Sequence, residues 1–263
     1  MSRDFKPYKN SLSIDIFPPP PLAIIKDKQF GTKIKLRPHD FILNSIRGKN
    51  ILVLGATGDL GIQVLYQALE ASYHVTILIR SDKNLPFESH YLRNPNLVII
   101  VGSVLSREDM NKAVEGQDAI INCLGPRALW TGDVDICSRS QKIIIESMKF
   151  YGVRRIIVVS SQGVGNGNGK QVGRIQNFFG FGKFMVDKEI QERYIKESSE
   201  FLDWTIIRPG KLYNGELTGH YKLNENLTLM KISRANVAHF ILKELQTSVW
   251  LKRTPTINGY EKI

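Results

Sequence analysis

The run LGATGDLGIQVL, residues 54–65, leaves its backbone little choice. A buried strand, NILVLG, leads into it, and Gly61, Val64, Leu65, Ala68, Leu69 and Ser72 then recur at helical spacing. Gly55 ends the strand and permits a tight turn. Gly58 lets the backbone approach a ligand at the helix N-terminus, and Gly61 lets the helix pack closely on the strand. Unpaired N–H groups and the helix dipole at that N-terminus favour an anion. The spacing is G-x-x-G-x-x-G, not the G-x-G-x-x-G of the standard fingerprint. Set between a strand and an amphipathic helix, with a second strand following, it reads as a dinucleotide pyrophosphate site. Gly55, Thr57, Gly58, Asp59 and Leu60 are its expected contacts.

The alternation continues along the chain. HVTILIR (74–80), NLVIIVG (96–102), DAIINCLG (118–125), RRIIVVSS (154–161) and DWTIIRPG (203–210) read as strands. Between them one helix opens at Ser106 as N-cap, with Glu108 and Asp109 in its first turn, and another covers roughly 134–151. A third resumes near Phe184, a late helix covers 232–245 with Ser233 as N-cap, and TPTINGY adds a short strand. Near-continuous Val/Ile/Leu strands separated by helices call for a parallel sheet covered on both faces. The expected fold is α/β, a doubly wound parallel sheet of the Rossmann type, over residues 49–263. Residues 1–48 show no sustained period and read as a basic, proline-containing arm, extended or partly disordered. After the fifth strand, QGVGNGNGKQVGRIQNFFGFG is too long and too rich in Gly and Asn for a simple connector, and reads as a mobile loop over a site.

With 263 residues, 42% of them hydrophobic, the chain can bury one sizeable core. Its formal charge is +11, and the first fifty residues, with ten Lys/Arg and four Asp, supply +6 of it. The excess is therefore concentrated in the arm. No arginine-rich tract, zinc-finger spacing or RNP-type aromatic motif accompanies it, so a solvated, lysine-rich surface is preferred to nucleic-acid binding. Cys123 and Cys137 form no C-x-x-C and have no histidine at metal spacing. A reducing compartment is expected, with neither a metal site nor a disulfide framework. No apolar run approaches the ~20 residues of a membrane span. Arg3, Lys6 and Lys9 hint at an organelle leader, but Asp4 and Asp15 count against it. The cytoplasm is the expected location and the mitochondrion the alternative. Within the arm, IDIFPPPPLAII is a candidate docking peptide for a partner protein.

The second strand selects the nucleotide. An acid at its end would accept the ribose 2′-hydroxyl of NAD and repel a 2′-phosphate. Here the strand ends in Arg80-Ser81, and Lys83 follows. A guanidinium fork matches a phosphate, and a hydroxyl can donate to it. NADP(H) is expected over NAD(H). Over roughly residues 50–245 the chain resembles an atypical, single-domain short-chain dehydrogenase/reductase, on LGATGDLG, VTILIRSDKNL, EGQDAIINCLG, GVRRIIVVSS, LDWTIIRPG and LTGHY. The nearest subgroups are the flavin (biliverdin-IXβ) reductases and the NADP-sensing regulators of nitrogen-metabolite repression. The resemblance implies that Ser103 and Val104 contact adenine and that Leu124 and Gly125 lie along the nicotinamide. It further implies cofactor contacts at the strand ends carrying Ser160 and Pro209-Gly210.

Members of that family reduce carbonyls with a serine, a tyrosine and a lysine four residues after the tyrosine. In GKFMVDKEIQ the resemblance aligns Lys188 with the lysine and Phe184 with the tyrosine, and it aligns Ser161 with the serine. An ordinary phenol titrates near ~10 and needs a neighbouring cation to act as an acid. Phe184 has no proton to give. Lys211 stands where the flavin reductases carry a histidine, so flavin or tetrapyrrole specificity does not follow. A simple ketone becomes a strongly basic alkoxide that needs a positioned acid. A flavin or quinone spreads the incoming hydride charge over a conjugated system and can take its proton from water. The expected function is therefore an NADP(H)-dependent reductase of a conjugated small-molecule acceptor, with Ser161 and Lys188 as catalytic residues and segment 161–182 as a lid. A non-catalytic NADP(H)-sensing regulator and a scaffold using the arm are the alternatives.

Overall fold

The computed structural model describes residues 49–83, 85–126, 135–164, 181–224 and 230–260; the N-terminal arm and most of the expected lid (165–180) lie outside them. Each strand and long helix read from the sequence forms. The chain runs β1 (Asn50–Leu54), α1 (Asp59–Glu70), β2 (His74–Ile79), α2 (Ser89–Leu92), β3 (Leu97–Val101), α3 (Arg107–Val114), β4 (Ala119–Asn122) and α4 (Ile136–Tyr151). It continues through β5 (Arg155–Val159), α5 (Phe181–Glu197), β6 (Asp203–Pro209), β7 (Lys211–Tyr213), β8 (Lys222–Asn224), β9 (Lys231–Ser233), α6 (Arg234–Thr247) and β10 (Thr256–Asn258). Ser106 and Ser233 cap α3 and α6, each accepting a backbone N–H three residues on, from Asp109 and Asn236.

The strands lie in the order β3-β2-β1-β4-β5-β6-β10-β8. All neighbours are parallel except β8, which runs antiparallel to β10. Strand order reverses between β1 and β4, which opens a crevice at their carboxyl ends. Register keeps those ends level: Leu54 faces both Leu78 and Asn122, and Asn122 faces Val158.

Alternate side chains serve opposite faces. Leu52, Leu54, Ile120, Ile156, Val158 and Ile206 are fully buried on one face against Met110 of α3, Ile144 and Met148 of α4 and Ile195 of α5. Ile51, Val53, Ile77, Ile121 and Ile157 turn to the other, covered by α1, along which α6 packs. Each such buried aliphatic side chain stabilises the fold by roughly 1.5–3 kcal/mol relative to exposure. The expected two-sided cover fails at the sheet edge, where Val98 and Val101 of β3 are each 52% exposed. An edge strand has a neighbour on one side alone, and α3 reaches mainly the inner strands. The small β7–β9 pair and β8 carry no sequence period long enough to announce them.

Candidate functional site

The phosphate turn sits at the switch point. Gly55 adopts φ 78°, and a Cβ there would come within 2.8 Å of the Cys123 carbonyl. The Gly58 N–H donates to Gly55 O (3.0 Å), and Gly58 O accepts from Ile62 N–H (2.9 Å). Gly58 is the N-cap of α1 and brings no side-chain cap to the first turn, the condition under which an anion can take the N–H groups there. Gly61 is the tightest point: a Cβ would fall 2.1 Å from Gly55 O and 2.8 Å from Ala56 Cα. Thr57 is half-buried and the Leu60 side chain is buried, so Leu60 can reach a ligand through its backbone. The Asp59 carboxylate lies 3.7 Å from the Arg234 guanidinium.

One strand over, Arg80, Ser81 and Lys83 are exposed at the carboxyl end of β2, with Ser81 Oγ accepting the Lys83 N–H (3.2 Å). Beyond β3 the turn is braced by Asp109, whose carboxylate accepts the Ser103 N–H (2.9 Å). Ser103 Oγ in turn accepts from Leu105 N–H (3.2 Å), and Val104 packs against the core.

On the β4–β5 side a chain of buried polar groups replaces apolar packing. Asn122 donates to Gln141 Oε1 (3.0 Å) and accepts the Leu124 N–H (3.0 Å). Lys188, 2% exposed, donates to Leu124 O (2.8 Å), Val159 O (2.8 Å) and Gln191 Oε1 (3.0 Å). It thus ties the loop after β4 to the end of β5 with two of its donors and spends the third on its own helix. Its ammonium lies 5.9 Å from the centroid of the Phe184 ring. Gly125 follows at the open end of the same loop. The preceding residue of α5, Asp187, is 4% exposed and accepts the N–H groups of Cys137 (3.0 Å) and Ser138 (2.9 Å), capping α4 from another helix.

The two serines after β5 separate. Ser160, 5% exposed, donates to Glu192 Oε1 (2.7 Å). Arg208 donates to both oxygens of that carboxylate, at 2.9 and 2.6 Å, and Lys196 adds a contact at 3.1 Å. Burial pushes the Glu192 carboxyl up, but its hydrogen bonds and charge pairing with Arg208, with help from Ser160 and Lys196, outweigh it and hold the group below the ordinary value. Ser161 is half-buried, and its Oγ makes a long contact of 3.4 Å to Gln162 O. Pro209 O accepts the Gln162 N–H (3.0 Å), which joins the loops after β5 and β6. Gly210 has no room for a side chain, since a Cβ would fall 2.2 Å from Met230 O.

A cleft of about 340 Å³ opens between the first turns of α4 and α5, lined by Asp135, Ser138, Lys183, Val186 and Ile190. Burial raises the Cys123 thiol to about 12 and the Cys137 thiol as well, against the pull of Lys188, so neither is a ready nucleophile. Among the described residues no group of His, Cys, Asp or Glu is gathered for a metal, and no helix is long and apolar enough to cross a membrane.

Sequence reasoning missed Asp187, Gln191, Glu192, Arg208 and Gln141. One signal was legible: positions 187, 188, 191 and 192 fall on one helical stripe, yet all four are polar where an amphipathic helix would be apolar. A buried polar stripe demands partners, and these found strand ends and a helix N-terminus.

Known proteins share this construction. The NAD(P)H-binding family profile matches residues 55–248. An uncharacterized chloroplastic protein of Arabidopsis thaliana is 30% identical over 237 residues, 84% of this chain and 80% of its own length. Photosystem II assembly factor Ycf39 of Synechocystis is 22% identical over 229 residues, 80% of this chain but 62% of that longer protein. Two solved structures share the fold. ChuY, an anaerobilin reductase from Escherichia coli O157:H7, has a TM-score of 0.69 at 22% identity, covering 82% of this chain and 99% of its own. A Veillonella parvula short-chain dehydrogenase/reductase in complex with NADP has a TM-score of 0.66 at 20% identity, covering 81% and 95%. The glycine turn, the switch-point crevice and the family match agree: the chain belongs to the NAD(P)H-binding family and has a Rossmann fold.

Proposed function

We propose that the chain is an NADPH-dependent reductase that passes hydride to a conjugated acceptor of the flavin, quinone or tetrapyrrole kind. What supports this reading is the glycine turn together with Phe184, which the resemblance aligns with the tyrosine, lying 5.9 Å from a lysine whose donors are all engaged by the protein. Such a site can bind and orient a nicotinamide but offers no phenol to an alkoxide. A conjugated acceptor needs none. The bound cofactor would supply the hydride. The residues of this chain would then hold its phosphates at Gly58–Leu60, read the 2′-phosphate with Arg80 and Ser81, and fix the loop at Leu124 beside the nicotinamide. Ser161 would orient the acceptor oxygen. The shared fold with an anaerobilin reductase supports the acceptor class.

A second reading is a nucleotide-bound scaffold without turnover, favoured by the similarity to Photosystem II assembly factor Ycf39. NADPH oxidation measured against flavin, quinone and linear tetrapyrrole panels separates the two. Turnover with any of them supports the reductase; tight NADPH binding with none supports the scaffold. In the active case Ser161→Ala should raise KM or lower kcat, and unchanged kinetics would remove Ser161 from the reaction. The chain is expected in a reducing aqueous compartment, the cytosol first and an organelle second, and a fluorescent fusion of the full chain reports which.

A further inference from the structure

At the start of α1 an acid stands where a bound dinucleotide carries its two phosphate charges. Asp59 is the first helical residue, and its side chain is 35% exposed. A carboxylate suits a helix N-terminus in the empty protein, but it opposes a pyrophosphate that uses the same N–H groups. Its compensation comes from far along the chain. Arg234 Nη2 lies 3.7 Å from Asp59 Oδ2, and the arginine side chain is 22% exposed.

Arg234 is held in place for this. It opens α6, whose first turn is joined to α1 by Gln67 Nε2 donating to Ala235 O (3.0 Å). Its Nη1 donates to Asn214 Oδ1 (2.9 Å), while Nη2 is the nitrogen nearest Asp59 at the start of α1. The residue before it, Ser233, is braced in both directions, accepting from Asn236 N–H (3.1 Å) and donating to Glu216 O (3.0 Å). A planar fork with one arm anchored and one arm loosely paired at 3.7 Å can share that arm with a phosphate oxygen at little conformational cost.

We propose that Arg234 is a cofactor-affinity residue, which neutralises Asp59 and presents its guanidinium to the pyrophosphate of the bound nucleotide. The proposal rests on the glycine turn being the pyrophosphate site. NADPH fluorescence titrations of the wild type, Arg234→Gln, Asp59→Asn and the double variant test it. Arg234→Gln should weaken binding about tenfold, the scale of one charge-assisted hydrogen bond. Asp59→Asn should change it less than about threefold, as partly exposed ion pairs do. The double variant should bind more tightly than Arg234→Gln, because the Asp59 charge then no longer opposes the phosphates. Adenosine 2′-monophosphate, which lacks the pyrophosphate, should bind all four proteins equally by calorimetry.

An Arg234→Gln affinity matching the wild type would overturn the proposal, and so would a double variant no tighter than Arg234→Gln. Parallel weakening of adenosine 2′-monophosphate would assign Arg234 a structural role instead. A wild type that binds neither NADPH nor NADH would instead refute the cofactor site itself, and would show as silence in every arm.

Discussion

Replacing Glu192 by glutamine should cost the fold far more than a single atom suggests. The carboxylate side chain is 3% exposed and its main partner, Arg208, is 7% exposed. Contacts of 2.9 and 2.6 Å engage both carboxylate oxygens. Glutamine keeps the shape but removes the charge, leaving a guanidinium desolvated without its counter-ion. Breaking a buried pair from one side costs about 3–5 kcal/mol. Lys196, 44% exposed, contributes little to that figure because solvent screens it. For a domain of this size each kcal/mol lowers Tm by roughly 2–4 °C, so a fall of about 6–20 °C is expected. Thermal and urea unfolding of Glu192→Gln, Arg208→Met and the pair Glu192→Gln/Arg208→Met supply the cycle. The double variant should recover most of the loss, because neither charge is then stranded. A loss below about 1 kcal/mol in Glu192→Gln, or a double variant as unstable as the sum of the singles, would refute the reasoning.

Other consequences can be measured directly. Because the folded Glu192 titrates below its ordinary value of 4.5, its stabilisation is complete above that value and drains as pH falls through the lower folded one; acid unfolding of Glu192→Gln should lack this component. Glu244, raised by burial, acts with the opposite sign in both proteins, so subtracting the two curves removes it. Gly61→Ala places a Cβ 2.1 Å from Gly55 O and should push α1 off β1, lowering stability by about 1–3 kcal/mol and NADPH affinity with it; normal binding would contradict the tight turn. Arg80→Ala should weaken NADPH by roughly 10–100-fold while leaving NADH nearly unchanged, the scale of one charged contact, and equal loss of both would refute 2′-phosphate recognition. Phe184→Tyr should confer measurable ketone reduction, read as NADPH oxidation with an aliphatic ketone.

The fold was legible because its signals are local and periodic. Aliphatic runs announced β1 to β6, and serine caps announced α3 and α6. The glycine turn was legible in spacing because its glycines answer steric demands: a φ of 78° at Gly55, and backbone 2.1 Å from where a Cβ would sit at Gly61. The interior of the site was not legible. Lys188 was recognisable as a lysine in a family position, but its two carbonyl partners lie 29 and 64 residues away, and no periodicity encodes them. Ser160 and Ser161 are neighbours in sequence and opposites in environment, because successive residues at a strand end point to different sides. Arg234 carried no signal at all, since its partner Asp59 stands at the other end of the domain sequence.

Helix α5 docks through residues 187, 188, 191 and 192, which hydrogen-bond to the first turns of α4, the loop after β4 and the ends of β5 and β6. Position 184 is not among these anchors. On the proposed reading, the phenol that a ketone would need is decided at a position outside the hydrogen bonds that seat this helix. Phe184→Tyr then adds a proton donor while leaving each of those four anchors in place.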